Sequence, residues 1–163
     1  MRRLVLMRHA KSSWDDPRME DHDRPLNGRG KRSAKALGDW LRKKNIFVDQ
    51  ALVSSSERTR ETFRRLKIEC DRTYLDRLYH AGPDDMMDVL KGAVGQTVLM
   101  LGHNPGIAWF AQDVVATVPD HPRFHDYPTC ATLVATFDID AWRDVKPGQG
   151  QVDAFVIPRE LTE

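Results

Sequence analysis

The sequence predicts an α/β fold in which a mixed, mostly parallel sheet lies between two layers of helices. Three short apolar runs, at residues 4–7, 51–53 and 97–101, are each followed by a helical pattern, which is typical of parallel strands joined by crossover helices. Residues 131–137 instead alternate between apolar and polar, and residues 152–157 return after a turn rich in Pro and Gly. We therefore expect a three-layer α/β/α sandwich whose final strands are antiparallel.

The helices are predicted from capping residues and apolar spacing. Asn27 is a candidate N-cap for the first long helix, and the serines at 54–56 are candidates for the second. A third helix should begin near Pro83, after an edge strand, and a fourth should be capped by Asn104 with Pro105 in its first turn. These helices supply the crossovers that the parallel strands need.

Length, charge and cysteine content narrow the class of protein. The 163 residues fit one domain, residues 1–163, and the 25 Lys and Arg residues nearly balance the 24 Asp and Glu residues. This balance argues against nucleic acid or an anionic membrane as a partner. Cys70 and Cys130 are too few for a disulfide framework, and no apolar run approaches the ~18 residues of a membrane span. We expect a cytoplasmic monomer with reduced thiols.

The first strand ends in an arginine and a histidine, Arg8 and His9. So short a strand cannot hide a charge within a sheet, so both should emerge at its carboxyl end, where open α/β sheets bind ligands. A guanidinium suits phosphate, and an imidazole can act as a base, an acid or a nucleophile. Lys11 and Ser12 follow directly and are further candidates for phosphate contact. The alternative is a surface Arg-His pair at the end of an edge strand.

Two further strands end in residues that suit an anion. Arg58 falls in the first turn of the helix after the second apolar run, where free backbone N–H groups and the helix dipole favour negative charge. His103 follows the third run, just ahead of another helix. Because right-handed crossovers bring the ends of parallel strands to one edge, we expect these two residues to join the first pair around one phosphate-sized anion.

Three segments together resemble the motifs of the histidine phosphatase superfamily, which includes the phosphoglycerate mutases. They are residues 8–14, 54–62 and 102–106. Within the superfamily, the short chain, the Asp-Arg-Pro-Leu run at 23–26 and the His-Asn-Pro-Gly segment are similar to the SixA-type phosphohistidine phosphatases. The resemblance implies a phosphoglycerate mutase-like fold.

The resemblance also implies roles for the four residues. His9 would be the nucleophile that becomes phosphorylated, and the phosphoryl oxygens would be held by Arg8, Arg58 and His103. Two departures stand out: Ala10 replaces the glycine found in most of the superfamily, and no residue clearly matches the glutamate that serves as proton donor in the mutases. His80 and Asp84 remain open as donors, although Asp84 is also explained by a helix N-terminus.

The expected mechanism is a two-step phosphoryl transfer through phosphorylated His9, followed by hydrolysis with water. Arg8 and Arg58 offset the charge on the oxygens, and His103, charged beside a phosphate, adds a donor. No phosphate-binding glycine loop or dinucleotide motif appears, so no cofactor is expected. The histidines at 121 and 125 have a spacing that suits a metal, but the prolines around residues 120–127 favour a loop at the pocket rim.

The predicted substrate is phosphohistidine on a signalling protein, such as a histidine-phosphotransfer domain. An alkoxide leaving group benefits from a positioned acid by about 10²–10⁴ in rate, whereas an imidazole has a free pKa of about 6.5 and leaves more readily. Residues 67–96 also leave no room for a long lid. The alternatives are a small-molecule or aryl phosphomonoesterase using the same site, and a phosphohistidine-binding module without catalysis.

Overall fold

The structure is a computed structural model that describes residues 1–162. Its strands are β1 (Arg2–Arg8), β2 (Gln50–Ser54), β3 (Asp71–Leu75), β4 (Thr97–Gly102), β5 (Thr132–Phe137) and β6 (Gln151–Val156). Its helices are α1 (Gly28–Lys43), α2 (Glu57–Leu66), α3 (Pro83–Lys91), α4 (Gly106–Val114) and α5 (Arg159–Thr162). Of the helices within residues 1–162, none is both long and apolar enough to cross a bilayer.

The strands form one sheet in the order β3-β2-β4-β1-β5-β6. Strands β1 to β4 run parallel to their neighbours in that set, whereas β5 is antiparallel to both β1 and β6. The predicted mixed, mostly parallel sheet is therefore confirmed. Strand β3 lies at one edge, as its mixed composition indicates.

The two faces of β1 divide the core between two helical layers. Leu6 belongs to a buried cluster with Phe110 of α4. Met7, which points to the opposite face, belongs to a cluster with Leu37 of α1 and Phe63 of α2. Each such side chain contributes about 1.5–3 kcal/mol when it is fully buried. The central strands are thus buried on both sides, and the three-layer sandwich is confirmed.

The first three crossover helices begin where the sequence predicts, two of them at a side-chain cap and the third at a proline. The side chain of Asn27 accepts a hydrogen bond from the N–H of Gly30 at 2.8 Å. Ser56 caps α2, and Pro83 is the first residue of α3. A cap of this kind is worth about 1 kcal/mol, because it satisfies a backbone donor that the helix leaves free.

The predicted cap for α4 is wrong. This helix begins at Gly106, after Pro105, and the side chain of Asn104 makes no capping bond. The Asn104 amide instead donates to the carbonyl oxygens of Asp126 and Tyr127, at 2.9 and 3.1 Å. Two long-range acceptors therefore take the donors of this side chain and fasten the loop around residues 120–127 to the end of β4.

Candidate functional site

The register of two central strands brings the reactive residues together. Arg8, the last residue of β1, pairs with Gly102, the last residue of β4. The backbone N–H of His9 donates to the carbonyl of Gly102 at 3.1 Å, and the next residue on the second strand is His103. The two imidazole rings have centroids 5.2 Å apart. The parallel pairing thus places both histidines together at the carboxyl ends of the parallel strands, as predicted.

A pocket of about 290 Å³ opens at the carboxyl ends of these strands. It is lined by all six predicted site residues and by five others: Arg8, His9, Lys11, Ser12, Arg58 and His103, with Trp14, Asp21, His80, Asn104 and Thr129. The imidazoles and Arg58 form a buried floor, whereas Trp14 is 63% exposed at the rim. Three larger depressions, of about 310, 410 and 470 Å³, have no histidine in their walls. The two candidate histidines and the two candidate arginines therefore lie together in a smaller pocket.

The tautomer of His9 follows from its hydrogen bond. Its Nδ1 lies 2.7 Å from the carbonyl oxygen of Ala10. Because a carbonyl can only accept, Nδ1 carries the proton and the lone pair is on Nε2. Burial is the largest of the effects that lower the pKa of His9 to about 3, and the charges of Arg8 and Arg58 add to it. The ring is therefore neutral near pH 7, with a nitrogen that can act as a nucleophile.

His103 is held by residues of the neighbouring strand and helix. Its Nε2 lies 2.7 Å from the hydroxyl of Ser54, and its Nδ1 lies 3.3 Å from an Nη atom of Arg58. A guanidinium can only donate, so Nδ1 accepts and the Nε2–H donates to Ser54. Burial, followed by the neighbouring His9 and Arg58, lowers the pKa of His103 to about 2. This histidine is therefore neutral at neutral pH in the structure.

Arg8 brings a second guanidinium with donors still available. One Nη donates to the carbonyl of Tyr127 at 3.2 Å, while the buried Nε has no hydrogen-bond partner among residues 1–162. Burial and the charge of Arg58 lower the pKa of Arg8, and Asp126 acts in the opposite direction. Two guanidiniums in one pocket give a concentration of positive charge. Phosphoryl oxygens are suited to such donors, because charge-assisted hydrogen bonds are the stronger kind.

Sequence reasoning missed two residues that orient Arg58. One Nη of Arg58 donates to the backbone carbonyl of Asp21 at 2.7 Å, and the other lies 3.1 Å from its carboxylate. The hydroxyl of Tyr79 donates to the same carboxylate oxygen. Partial burial raises the pKa of Asp21, but the hydrogen bond from Tyr79 and the charge of Arg58 outweigh it and leave the pKa lowered. Asp21 is therefore an ionised group that fixes the arginine.

No simple signal in the sequence marks this pair. Asp21 lies in an acidic loop without periodicity, in a short 3-10 turn at Asp21–Asp23, and Tyr79 follows another such turn. The two residues are 58 positions apart, so only the tertiary packing of these two turns brings them together. The one feature of the sequence that points to Asp21 is the excess of acidic residues in a loop close to the predicted anion site.

Ala10 fits the backbone at the position where the superfamily usually has glycine. Its N–H donates to the hydroxyl of Thr62 at 3.0 Å, and its side chain is fully buried. Ala10 is not among the residues with positive φ, so the methyl group causes no backbone strain. The glycine that this region requires is Gly30, where a Cβ atom would lie 2.1 Å from the carbonyl oxygen of Lys11.

The structure distinguishes His80 from Asp84, the two candidate proton donors. His80 lines the pocket and is exposed, whereas Asp84 is exposed at the start of α3 and does not line it. Residues 120–127 form a loop, as predicted, and His121 pairs with Glu160 at 3.0 Å. Within residues 1–162, no three His, Cys, Asp or Glu side chains are grouped closely enough to hold a metal ion.

Known proteins resemble this chain over most of its length. The family model of the histidine phosphatase superfamily (branch 1) matches residues 4–79. An uncharacterized protein of Mycobacterium tuberculosis is 34% identical over 161 residues, which cover 94% of this chain and 100% of the relative.

Solved structures give the same picture. One assigned as the phosphohistidine phosphatase SixA of Nakamurella multipartitia is 30% identical, has a TM-score of 0.80 and covers 96% of both chains. A second, assigned as SixA of Agrobacterium tumefaciens, is 23% identical with a TM-score of 0.79, and covers 96% of this chain and 98% of that one. At that lower identity the likeness concerns the fold alone.

Proposed function

Because the chain belongs to the histidine phosphatase superfamily and is of the SixA type, we propose that it dephosphorylates phosphohistidine on a protein through a phosphorylated His9. One observation carries the proposal. The Nδ1–H of His9 is held by the Ala10 carbonyl, which leaves a neutral Nε2 in a pocket with two arginines. A nucleophile of this kind, surrounded by donors for the transferred group, is what covalent phosphoryl transfer requires.

In the first step, the lone pair of His9 Nε2 forms a bond to phosphorus while the bond from phosphorus to the substrate nitrogen breaks. The departing imidazole takes a proton from solvent. The guanidiniums of Arg8 and Arg58 bind the equatorial oxygens, on which charge spreads in the transition state. Because neither charge has to be created during the reaction, this stabilisation is available from the start.

His103 changes its role when a phosphoryl group arrives. In the structure its Nδ1 accepts from Arg58, and its pKa is lowered to about 2. A phosphate dianion beside the ring raises that pKa, because an opposite charge favours the protonated form. His103 then takes up a proton and donates to a phosphoryl oxygen, while Arg58 turns to another.

In the second step, a water molecule attacks the phosphorus and the bond to His9 Nε2 breaks. Inorganic phosphate leaves, and the neutral imidazole is restored with its proton still on Nδ1. Two in-line displacements return the configuration at phosphorus to its starting sense. These two steps use only nitrogen and oxygen groups of the chain itself. We therefore propose that the reaction uses no cofactor.

The choice of phosphohistidine rests on the acids at the pocket. Asp21 is the one carboxylate in the described lining, and its lowered pKa and its bonds to Arg58 and Tyr79 make it a poor proton donor. An alkyl phosphate needs such a donor, for a gain of about 10²–10⁴. A phosphoimidazole does not, since its leaving group has a free pKa of about 6.5. The proposed partner is a phosphorylated protein such as a histidine-phosphotransfer domain.

A location and an assembly state accompany this proposal. Cys70 and Cys130 are free thiols, and burial raises the pKa of Cys130 to about 12. A buried, protonated thiol suits a reducing compartment, so a cytoplasmic location remains our prediction. A monomeric state is likewise predicted, and sedimentation of the purified protein tests it.

The test compares second-order rate constants under one condition. The substrates are a phosphorylated histidine-phosphotransfer domain, an aryl phosphate and several alkyl phosphates. We expect the phosphoprotein to react fastest, the aryl phosphate slowly and the alkyl phosphates hardly at all. An aryl phosphate that reacts fastest would favour a small-molecule phosphomonoesterase. An alkyl phosphate that reacts fastest would assign a proton donor to the pocket, and His80 is then the residue to replace.

A further inference from the structure

One exposed hydrophobic side chain lies at the mouth of the pocket. The large hydrophobic residues exposed within residues 1–162 are Met1, Trp14, Phe47, Val94, Trp109 and Val118. Of these, only Trp14 lines the pocket that contains His9. Scattered exposed hydrophobic residues are normal on a protein surface, but a tryptophan that is 63% exposed beside a reactive centre is placed to meet whatever enters it.

The indole of Trp14 is held in position. The guanidinium carbon of Arg24 lies 3.8 Å from the ring centroid, so a cation covers one face of the ring. Arg24 is itself only 5% exposed, and its Nη atoms donate to the carbonyls of Asp16 and Met19 at 3.2 and 3.1 Å. A ring fixed in this way loses little conformational freedom on binding a partner, because it is already ordered.

The direction of the reaction puts the partner on this rim. In an in-line displacement the attacking and leaving atoms lie on opposite sides of phosphorus. His9 attacks from the floor, where it is 7% exposed, so the leaving group points outward. When that group is a histidine side chain, the polypeptide that carries it must lie across the mouth, where Trp14 and the exposed Lys11 are found.

We infer that Trp14 is a docking residue for the protein that carries the phosphohistidine, and that it packs against an apolar surface beside the phosphorylated side chain. This inference rests on the proposed function. Tryptophan is enriched among the few residues that dominate binding at protein interfaces. A small phosphorylated compound without a ring, such as acetyl phosphate, has no such surface, so the contribution of Trp14 should be confined to protein substrates.

The test measures kcat/KM for two probes in each variant. One probe is a histidine-phosphotransfer domain phosphorylated on its histidine, and the other is acetyl phosphate, whose carboxylate leaving group needs no proton donor and carries no aromatic ring. Trp14→Ala and Trp14→Gln remove the ring, and Trp14→Phe keeps an aromatic surface. Trp109→Ala removes a tryptophan that is 54% exposed on α4 and does not line the pocket. The quantity compared is the ratio of kcat/KM for the protein to kcat/KM for acetyl phosphate, which cancels any general loss of folded protein.

We expect the ratio to fall about tenfold when the ring is removed, and to change less than about threefold in Trp14→Phe and Trp109→Ala. A fall below about threefold in both ring-removing variants would overturn the inference, and so would an equal fall in Trp109→Ala. Wild-type protein that hydrolyses acetyl phosphate but not the phosphorylated domain would overturn the proposed function and this inference together. Wild-type turnover of the domain with an unchanged ratio in the variants would overturn the inference alone.

Discussion

The floor and the rim of the pocket are built by different kinds of structure. On the floor, His9 and His103 extend from paired strands, and Arg58 lies in the first turn of a capped helix. On the rim, Trp14 and Asp21 belong to a long connection before α1 that has only one short 3-10 turn. The floor groups can react with a phosphoryl group, whereas the rim groups orient one arginine and face incoming molecules.

This difference separates chemistry from recognition. Strand ends and helix starts are fixed by backbone hydrogen bonds, so they hold reactive groups to the precision that catalysis needs. Loops tolerate changes in length and sequence, so they suit the contacts that select a partner. We therefore expect substitutions on the floor to lower all activities, and substitutions on the rim to have smaller or more selective effects.

The largest effect should come from His9→Ala. Loss of the nucleophile should lower turnover by about 10⁴-fold or more, because positioning alone does not replace a covalent step. Wild-type protein quenched during turnover should carry phosphate on this residue, labile in acid and stable in base. The variant should still unfold cooperatively in urea, which would show that it is folded. Wild-type rates from His9→Ala would contradict the covalent mechanism.

Arg58→Ala should cause the second-largest loss of activity. Removing a buried donor to developing charge typically costs about 2.7–4 kcal/mol, or about 10²–10³ in kcat. Arg64→Ala is the matched control, since Arg64 is on the same helix but is exposed and pairs with Glu57. Kinetics on an aryl phosphate suffice to measure both. If Arg58→Ala lost less than about threefold, the clamp role would be wrong.

Acid should weaken the folded state through the two floor histidines. An unfolded histidine has a pKa of about 6.5, against about 3 for His9 and about 2 for His103 in the structure. Between these values the unfolded chain binds protons that the native state does not. Stability is therefore fully present above about pH 6.5 and falls with decreasing pH by about 1.4 kcal/mol per unit for each histidine.

Urea unfolding from pH 7.5 to pH 5 measures this slope. His9→Asn should reduce the slope by the share of one histidine, about 1.4 kcal/mol per pH unit. His125→Asn, at an exposed position, should leave the share of the two floor histidines unchanged. An identical slope in His9→Asn and wild type would show that the floor histidine takes up protons in the folded state.

Asp21→Asn should have a smaller and divided effect. Loss of the carboxylate loosens Arg58 and should lower kcat about threefold to tenfold, since hydrogen bonds to charged groups are worth about 1.5–3 kcal/mol and this one is partly exposed. Removing a negative charge from an anion site should at the same time lower KM. Tyr79→Phe should lower kcat by less, because it leaves the charge. A rise in KM without a change in kcat would contradict the positioning role.

Chelation should have the smallest effect, namely none. We predict that EDTA leaves turnover of an aryl phosphate unchanged, because the proposed reaction uses only side chains of the floor. Dialysed protein assayed with and without added Mg²⁺ or Zn²⁺ provides the control. Strong inhibition that a divalent ion reverses would refute this prediction.

Corrections to the sequence-based expectations concern loops. Asn104 was expected to cap a helix, but its amide is held by carbonyls of Asp126 and Tyr127, far along the chain. His22, in the charged loop before α1, is likewise half-buried, and its Nε2 lies 3.0 Å from the hydroxyl of Ser55. At both positions a partner distant in sequence holds the side chain, as side chains with several donors and acceptors allow.

The sequence by itself determined the sheet, its flanking helices and the meeting of Arg8, His9, Arg58 and His103. Apolar runs and caps are local signals, and parallel pairing converts the ends of separate strands into neighbours. Only the tertiary structure decided which proton His9 carries, that Asp21 and Tyr79 hold Arg58, and that Trp14 stands at the rim. These features depend on contacts between loops distant in sequence, which no periodicity encodes.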